Sequence, residues 1–423
     1  MLRLAALRFS RFSCLAADCR ENCCTGLRVE LTEDNHRTLT EKAAGHPTLA
    51  PMVERLVQIE PRAAQTQRAF ASIDAKGKSC PFLDTSWLCS LHGALGEEAL
   101  SDPCSLFPRV LTEVEGTLEL SATFACPEAA RLCLTGEDAL DAVPFSPHDV
   151  PREIVVRRHP ASTTDPYQAL FSTVRQLCLD VMSARDVRWE VGLLVLLDFA
   201  AAVEDFFHQG TERFDAVRWD AAVRGVPSRV AALEALLVET PPQAPSALRA
   251  LQEIFLARLP NCDNRRFQAW VRPAVLAAPE APLAEVARYF HGRPDVGLPI
   301  AEVAARTAAA RAQLAPWSAR MDEHARRFAQ NALVKDWYTQ HPTLSQALAQ
   351  LVLKLSLSRF LLFAAWPPLA GESRASLDDA SVNAFQIVAK NIEHVPSFLA
   401  LCERSLAEKG LVTLPGMASL LRA

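Results

Sequence analysis

Cys14, Cys19, Cys23 and Cys24 stand as C-x4-C-x3-C-C, and Cys80, Cys89, Cys104 and Cys126 follow in C-P-F-L, L-C-S-L-H, C-S-L-F-P-R and C-P-E-A-A-R-L. Thiols gathered this densely either hold a metal or are tied as disulfides. Staples serve mainly small secreted domains that cannot bury a core. At 423 residues and 50% hydrophobic, this chain can bury one without them. Its start, MLRLAALRFSRF, is interrupted by Arg3, Arg8 and Arg11 and carries no export signal. The expected compartment is therefore the cytoplasm, where thiols stay reduced, and the expected role of all eight is metal ligation.

Zinc sites usually present two short C-x2-C pairs, each biting one tetrahedral ion. The gaps here are 4, 3 and 0 residues, then 8, 14 and 21. Irregular spacing suits an iron–sulfur cluster, in which each thiolate meets a different iron. A 4Fe–4S cluster needs only four. The surplus leaves three arrangements open: two centres, some structural cysteines, or one iron free to take a substrate.

These residues must be held by local structure. Leu27, Val29 and Leu31 alternate with polar residues, as a short strand does. Val110, Thr112 and Val114 alternate up to Glu115-Gly116, and Leu118, Leu120, Ala122 and Phe124 alternate away from it. That pattern predicts a hairpin that delivers Cys126 at its far end. Helices are expected between Thr32 and Phe70. Five prolines between Pro144 and Pro166 break any helix there. Beyond them, Tyr167, Leu170, Phe171, Val174, Cys178 and Val181 recur at helical spacing, as do Leu344, Leu348, Leu351, Val352 and Leu355. The expected fold is mainly α, with a small α+β cysteine-rich N-terminal part that holds a metal cluster and a short β-hairpin. Its units are a cysteine-rich iron–sulfur domain over 1–142, a Pro-rich linker over 143–166 and a helical domain over 167–423.

Composition excludes some functions. The net charge is −5 and the sequence pI about 6.1, which gives no electrostatic footprint for nucleic acid. The most apolar stretch, Leu344 to Trp366, carries Gln350, Lys354 and Arg359 and reads as a buried helix rather than a membrane span. No G-x-G, G-x4-G-K-[ST], H-E-x-x-H or G-x-S-x-G occurs, so Rossmann, phosphate-loop, zincin and hydrolase chemistries lack their signatures. The C-x3-C-x2-C of familiar radical enzymes also fails, because Gly26 stands where the third cysteine would be.

FSCLAADCRENCCTGLRVEL (Phe12 to Leu31) resembles the opening of the flagellin lysine-N-methylase family, although Leu27 replaces that family's usual tryptophan. CPFLDTSWLCSLHGALGEEALSDPCSLFPRV (Cys80 to Val110) resembles its second block and LSATFACPEAARL (Leu120 to Leu132) its third. FAQNALVKDW (Phe328 to Trp337) and VAKNIEHVPSFL (Val388 to Leu399) are weaker C-terminal echoes. The resemblance implies a bacterial cytoplasmic enzyme that moves methyl groups from S-adenosylmethionine to the ε-nitrogen of lysines, typically on flagellin. It also implies a 4Fe–4S cluster among the cysteines. A smaller family of zinc- or iron-chelating proteins shares much of the cysteine pattern, so a non-catalytic iron- or zinc-binding protein is the rival reading. Methylation of lysines on some other protein is a further one.

On that resemblance Arg109, in F-P-R, could take the carboxylate of S-adenosylmethionine, because guanidinium forks match carboxylates. Glu128, Glu393 and His394 are the candidate catalytic groups. For each a bland reading stands beside the functional one. Arg109 could serve a structural ion pair, Glu128 could bridge Arg131 one helical turn away, and His394 could be a satisfied core histidine. Cys133, Cys178, Cys262 and Cys402 lie outside the motifs and read as small core residues. Carboxylates near Gly116, Glu113 and Glu115 among them, mark the expected entry for the acceptor lysine.

Overall fold

Thr32 and Asn35 begin the first helix by capping each other. The Thr32 hydroxyl accepts from the Asn35 amide at 3.1 Å, and the Asn35 side chain accepts from the Thr32 amide. The helix, Glu33–Ala43, is followed by Leu49–Leu56, as expected for this stretch, and the chain then turns to strand. The computed structural model describes residues 3–5, 12–25, 28–61, 70–74, 79–136, 143–145, 150, 152–291, 294–366 and 373–423.

Among the described residues, eight strands make two small sheets. We number them β1 (Arg3–Ala5), β2 (Arg28–Leu31), β3 (Val57–Ile59), β4 (Ala71–Asp74), β5 (Arg109–Val114), β6 (Thr117–Ala122), β7 (Val143–Pro144) and β8 (Arg157–His159). The antiparallel sheet β2-β4-β3 packs on the first two helices and on Ser90–Leu95 around Leu31, Leu39, Val53, Ile73 and Phe82. Cys80 and Cys89 lie against this core. The second sheet runs β7-β1-β6-β5-β8.

The expected hairpin is β5–β6, with Val114 opposite Thr117. Its two-residue loop puts Glu115 at φ +49° and Gly116 at φ +81°. That loop matches the twist of the strands and calls for glycine at the second place. The hairpin leads to the helix Pro127–Thr135, which Cys126 immediately precedes. The Pro-rich segment forms no helix among its described residues before Pro166, and it supplies β7 and β8.

The remainder is helical. Its largest core surrounds Leu344–Ala365, whose faces are covered almost completely. By length and composition that helix could cross a membrane, but 78% of its apolar window is buried inside the protein. Its two charged residues are matched internally. Arg359 lies over the Trp189 ring at 4.7 Å, and Lys354 pairs with Asp336. The same core takes in Val114, Phe124, Ala130, Cys133 and Leu134 from the hairpin region. The end of the cysteine-rich part is thus packed into the helical body by ordinary apolar burial.

Candidate metal centre and the charged hub behind it

The first cysteine loop has almost no regular structure, so side-chain bonds shape it. Cys14 and Cys19 flank a single 3₁₀ turn, Ala16–Asp18. Asn22 accepts from the Cys24 amide at 2.7 Å and donates to the Trp87 carbonyl at 3.1 Å. Thr25 bridges to Ser79, and the Cys80 amide donates to the Cys24 carbonyl at 2.6 Å. This fixes the C-C pair beside Cys80. Leu83 bridges to Cys89, and Asp84 accepts from Ser86 and Leu88, closing the turn that brings Cys89 back. Cys104 rides on the short helix Asp102–Leu106, tied to the first helix by the 2.8 Å Asn35–Asp102 bond.

All twelve cysteines are free thiols. The Cys23 and Cys24 sulfurs are 3.9 Å apart. The hydrogen bond between them, helped by the nearby Lys390 ammonium, lowers the Cys23 thiol to about 7 and pushes Cys24 up. A thiolate at neutral pH is the form that binds metal. Burial instead pushes the Cys126 thiol up to about 12. The motif donors are uniformly soft, which suits zinc or an iron–sulfur cluster rather than a hard cation. Among the described residues, no three His, Cys, Asp or Glu side chains already close on one point. Ligation would draw the thiols inward, and Cys14, Cys23 and Cys104 are exposed enough to turn.

Behind the loop lies a segment that the sequence marked only faintly. The helix Arg374–Val388 ends in a π-turn, Ala389–Glu393. Each polar side chain there meets a different neighbour. Lys390 donates to the Asn22 carbonyl at 2.5 Å and to the Thr25 hydroxyl at 2.8 Å, and pairs with Glu21 at 3.0 Å. Asn391 accepts from the Cys262 thiol at 3.3 Å. Glu393 pairs with Lys335 at 2.6 Å, and His394 lies 2.6 Å from the Thr123 hydroxyl. Arg20 pairs with Asp379 on the helix before the π-turn. One C-terminal element therefore clamps both the first cysteine loop and the end of the hairpin.

Glu393 belongs to a buried quartet. Lys335 meets Asp336 at 2.5 Å, and Lys354 meets Asp336 at 2.9 Å and Glu393 at 3.9 Å. Burial alone would raise the Asp336 and Glu393 carboxyls, but the two ammoniums outweigh it and hold both below the usual range. His394 is exposed on one side, and the packing around its ring lowers it from the ordinary histidine value. Beside the quartet is a cavity of about 40 Å³, bounded in part by Phe171, Tyr338, His341 and Lys354.

The sequence candidates fall in different places. Glu128 has both carboxylate oxygens bound by Arg131, at 2.6 and 2.7 Å, which is the bridging pair foreseen from their spacing. Arg109 opens β5, with its guanidinium 5.0 Å over the Phe12 ring. Glu393 and His394 come together at the hub. Glu113 pairs with Arg158, and Glu115 accepts from Ser172 at 2.6 Å, so those hairpin carboxylates are matched within the chain. Lys390, Glu21, Lys335, Asp336 and Lys354 were missed. Lys354 did carry a signal: a lone charge in the most apolar helix must have a buried partner.

Cys178 is fully enclosed by the apolar core and far from the motif loops in its packing. Cys178→Ser should leave the metal-to-protein ratio at the wild-type value by elemental analysis while lowering thermal stability, because the hydroxyl is buried without a partner.

The class these features define is a mainly helical protein whose N-terminal lobe presents reduced thiols against a buried charged hub. The family described as the FliB lysine N-methylase C-terminal domain matches residues 175–420. With more than half its length matched, the chain belongs to that family. It is similar to the curated "Lysine-N-methylase" of Salmonella typhimurium, at 24% identity over 197 residues, covering 47% of this chain and 46% of the relative. It is also similar to the "Flagellar biosynthetic protein FliU" of Salmonella muenchen, at 28% identity over 152 residues, covering 35% of this chain and 88% of the relative. The chain thus spans about half the length of the lysine-N-methylases it matches. No solved structure matches.

Proposed function

We propose that this protein is a cytoplasmic protein-lysine N-methyltransferase. It would use S-adenosylmethionine as methyl donor and a 4Fe–4S cluster held by the motif cysteines, with flagellin as its first candidate substrate. The observation that carries the reading is the clamp. The π-turn lies within the matched family region and binds the loop that bears Cys23 and Cys24, joining the thiols and the family's helical body into one site.

The chemistry asks specific things of the residues. A lysine ammonium has no lone pair, and its ordinary pKa is about 10.4, so the site must favour the neutral amine by burial or by a base. His394, 2.6 Å from the Thr123 hydroxyl, would accept that proton from an amine whose own basicity burial has lowered. Glu393 is engaged by Lys335, and its role is to hold the hub that positions His394. Arg109, whose guanidinium lies over the Phe12 ring, would be the candidate to meet the carboxylate of S-adenosylmethionine. When bound, the cluster would supply a Lewis-acidic iron or an electron. The thiols of the N-terminal lobe would hold it.

The test is methyl transfer from isotopically labelled S-adenosylmethionine to purified flagellin, read by mass spectrometry. Methyl-lysine on flagellin is the expected product. Labelling of other proteins but not flagellin would move the substrate elsewhere. A protein that binds no S-adenosylmethionine at all would leave the metal-binding module as the surviving reading.

A further inference from the structure

The cavity beside the charged quartet lies where the helices Phe171–Ser183 and Leu344–Ala365 meet the turn that carries Tyr338 and His341. Phe171, Leu344, Leu348 and Leu351 give it apolar walls, each 5% exposed or less. Arg175, Ala347 and Gln350 are only partly buried and stand at its outer side. Its charged side is Asp336 and Lys354. At about 40 Å³ it has room for about three waters, roughly 90 Å³ of liquid. That is the scale of four methylenes and a nitrogen, and far below that of an adenosyl group. The helix Phe171–Ser183 is tied to the hairpin, Ser172 to Glu115 at 2.6 Å and Arg175 to Glu119 at 2.5 and 2.8 Å. The cavity therefore sits where the helical body meets β5–β6.

Charge decides the form of the guest. Asp336 is already shared by Lys335 and Lys354, and Glu393 is paired with Lys335. Arg175 is matched by Glu119. A third ammonium would find no carboxylate to spare, whereas an uncharged amine can donate to Asp336 and accept from Lys354. We propose that this cavity is the slot for the acceptor lysine, with its methylenes along Phe171, Leu348 and Leu351 and its uncharged amine at Asp336 and Lys354. The inference rests on the methyltransferase reading and adds to it a place that selects the neutral amine. Asp336 belongs to the quartet that holds Glu393, the neighbour of His394, so the amine arrives at the same hub.

The experiment uses n-butylamine, which reproduces the lysine tail, on the whole chain, with binding followed by calorimetry between pH 7 and 9. Burial pushes Cys178 up to about 12 and Tyr338 up as well, and lowers His341, so none of the three titrates in that window. Because only the uncharged amine is taken, the apparent dissociation constant should fall about tenfold for each pH unit. Butyltrimethylammonium, which is always charged, should not bind, and n-butanol should bind without pH dependence. Leu348→Phe, which fills the cavity, should abolish butylamine binding while circular dichroism shows the fold kept. If it misfolds, Ala347→Leu at the outer side carries the test. No butylamine binding, or equal binding of the permanent cation, would overturn the slot. The wild type and the filled variant are then compared in methyl transfer from labelled S-adenosylmethionine to flagellin. Loss of transfer with S-adenosylmethionine binding retained is the expected result. Transfer at the wild-type rate in a variant that no longer binds butylamine would move the acceptor elsewhere and spare the enzyme reading. A wild type that binds butylamine but methylates no protein lysine would sink the enzyme reading and the acceptor with it, leaving a site for free alkylamines.

Discussion

Replacing Lys390 with methionine should cost about 3–5 kcal/mol of stability, the range for removing one partner of a buried ion pair, and should release much of the bound metal. Both effects follow from the same ammonium. Its side chain is 6% exposed and that of Glu21 is 8%, so the variant leaves the Glu21 carboxylate enclosed without its contacting ammonium, with only Arg266 beyond ion-pair distance to offset it. Glu21 keeps its bond from Asn264 at 3.1 Å, but that amide carries no charge. The metal effect is geometric. Lys390 also holds the Asn22 carbonyl and the Thr25 hydroxyl, which bracket Cys23 and Cys24. The check is a denaturant melt together with metal analysis. Adding Glu21→Gln to the variant should restore most of the stability but not the metal, since the carboxylate is then neutral while the loop stays unclamped. Full recovery of metal in the double variant would show that the loop needs no clamp.

Asp336→Asn should likewise destabilise the protein by about 3–5 kcal/mol at pH 7, and it should flatten the acid limb of the stability profile. Lys335 and Lys354 would then share Glu393 alone. The sign follows from linkage. Asp336 and Glu393 are depressed in the folded state, so their contribution is present above the ordinary carboxylate values near 4 and is lost as pH falls through the lower folded values. Burial would lower Lys335, but Asp336 and Glu393 raise it overall. Its contribution is therefore present below the ordinary lysine value and is lost as pH rises through the folded one. Denaturant midpoints at pH 7, 5 and 3 test this. The wild type should lose stability steeply below about pH 4 and the variant less so. Parallel profiles would mean that the quartet is not the acid-sensitive element.

Much of the architecture was legible in the sequence because it depends on local pattern. Alternation broken at Glu115-Gly116 specifies the β5–β6 hairpin, since a two-residue loop with positive φ at both positions needs a glycine and fixes the register. Apolar spacing specifies Leu344–Ala365 and Phe171–Ser183. The bridging of Glu128 to Arg131 is likewise a matter of one helical turn. The cysteine pattern and its neighbouring blocks were enough to name the family.

What only the tertiary structure decided is who meets whom across long separations. Lys390 lies more than 360 residues from Asn22, and His394 lies 271 from Thr123. No periodicity encodes such a pairing, because it depends on how the helical body folds back on the cysteine-rich lobe. The sequence identified eight thiols but not their surroundings, since spacing along the chain does not tell that Cys80 and Cys89 pack on one core and Cys126 on another. The charged hub was hidden for a related reason. Lys335 and Asp336 close one helix, Lys354 lies in another and Glu393 ends the π-turn, and apart from Lys354 each alone resembles a solvated residue. Burial brings them together, and in a low-dielectric interior opposite charges must then find one another.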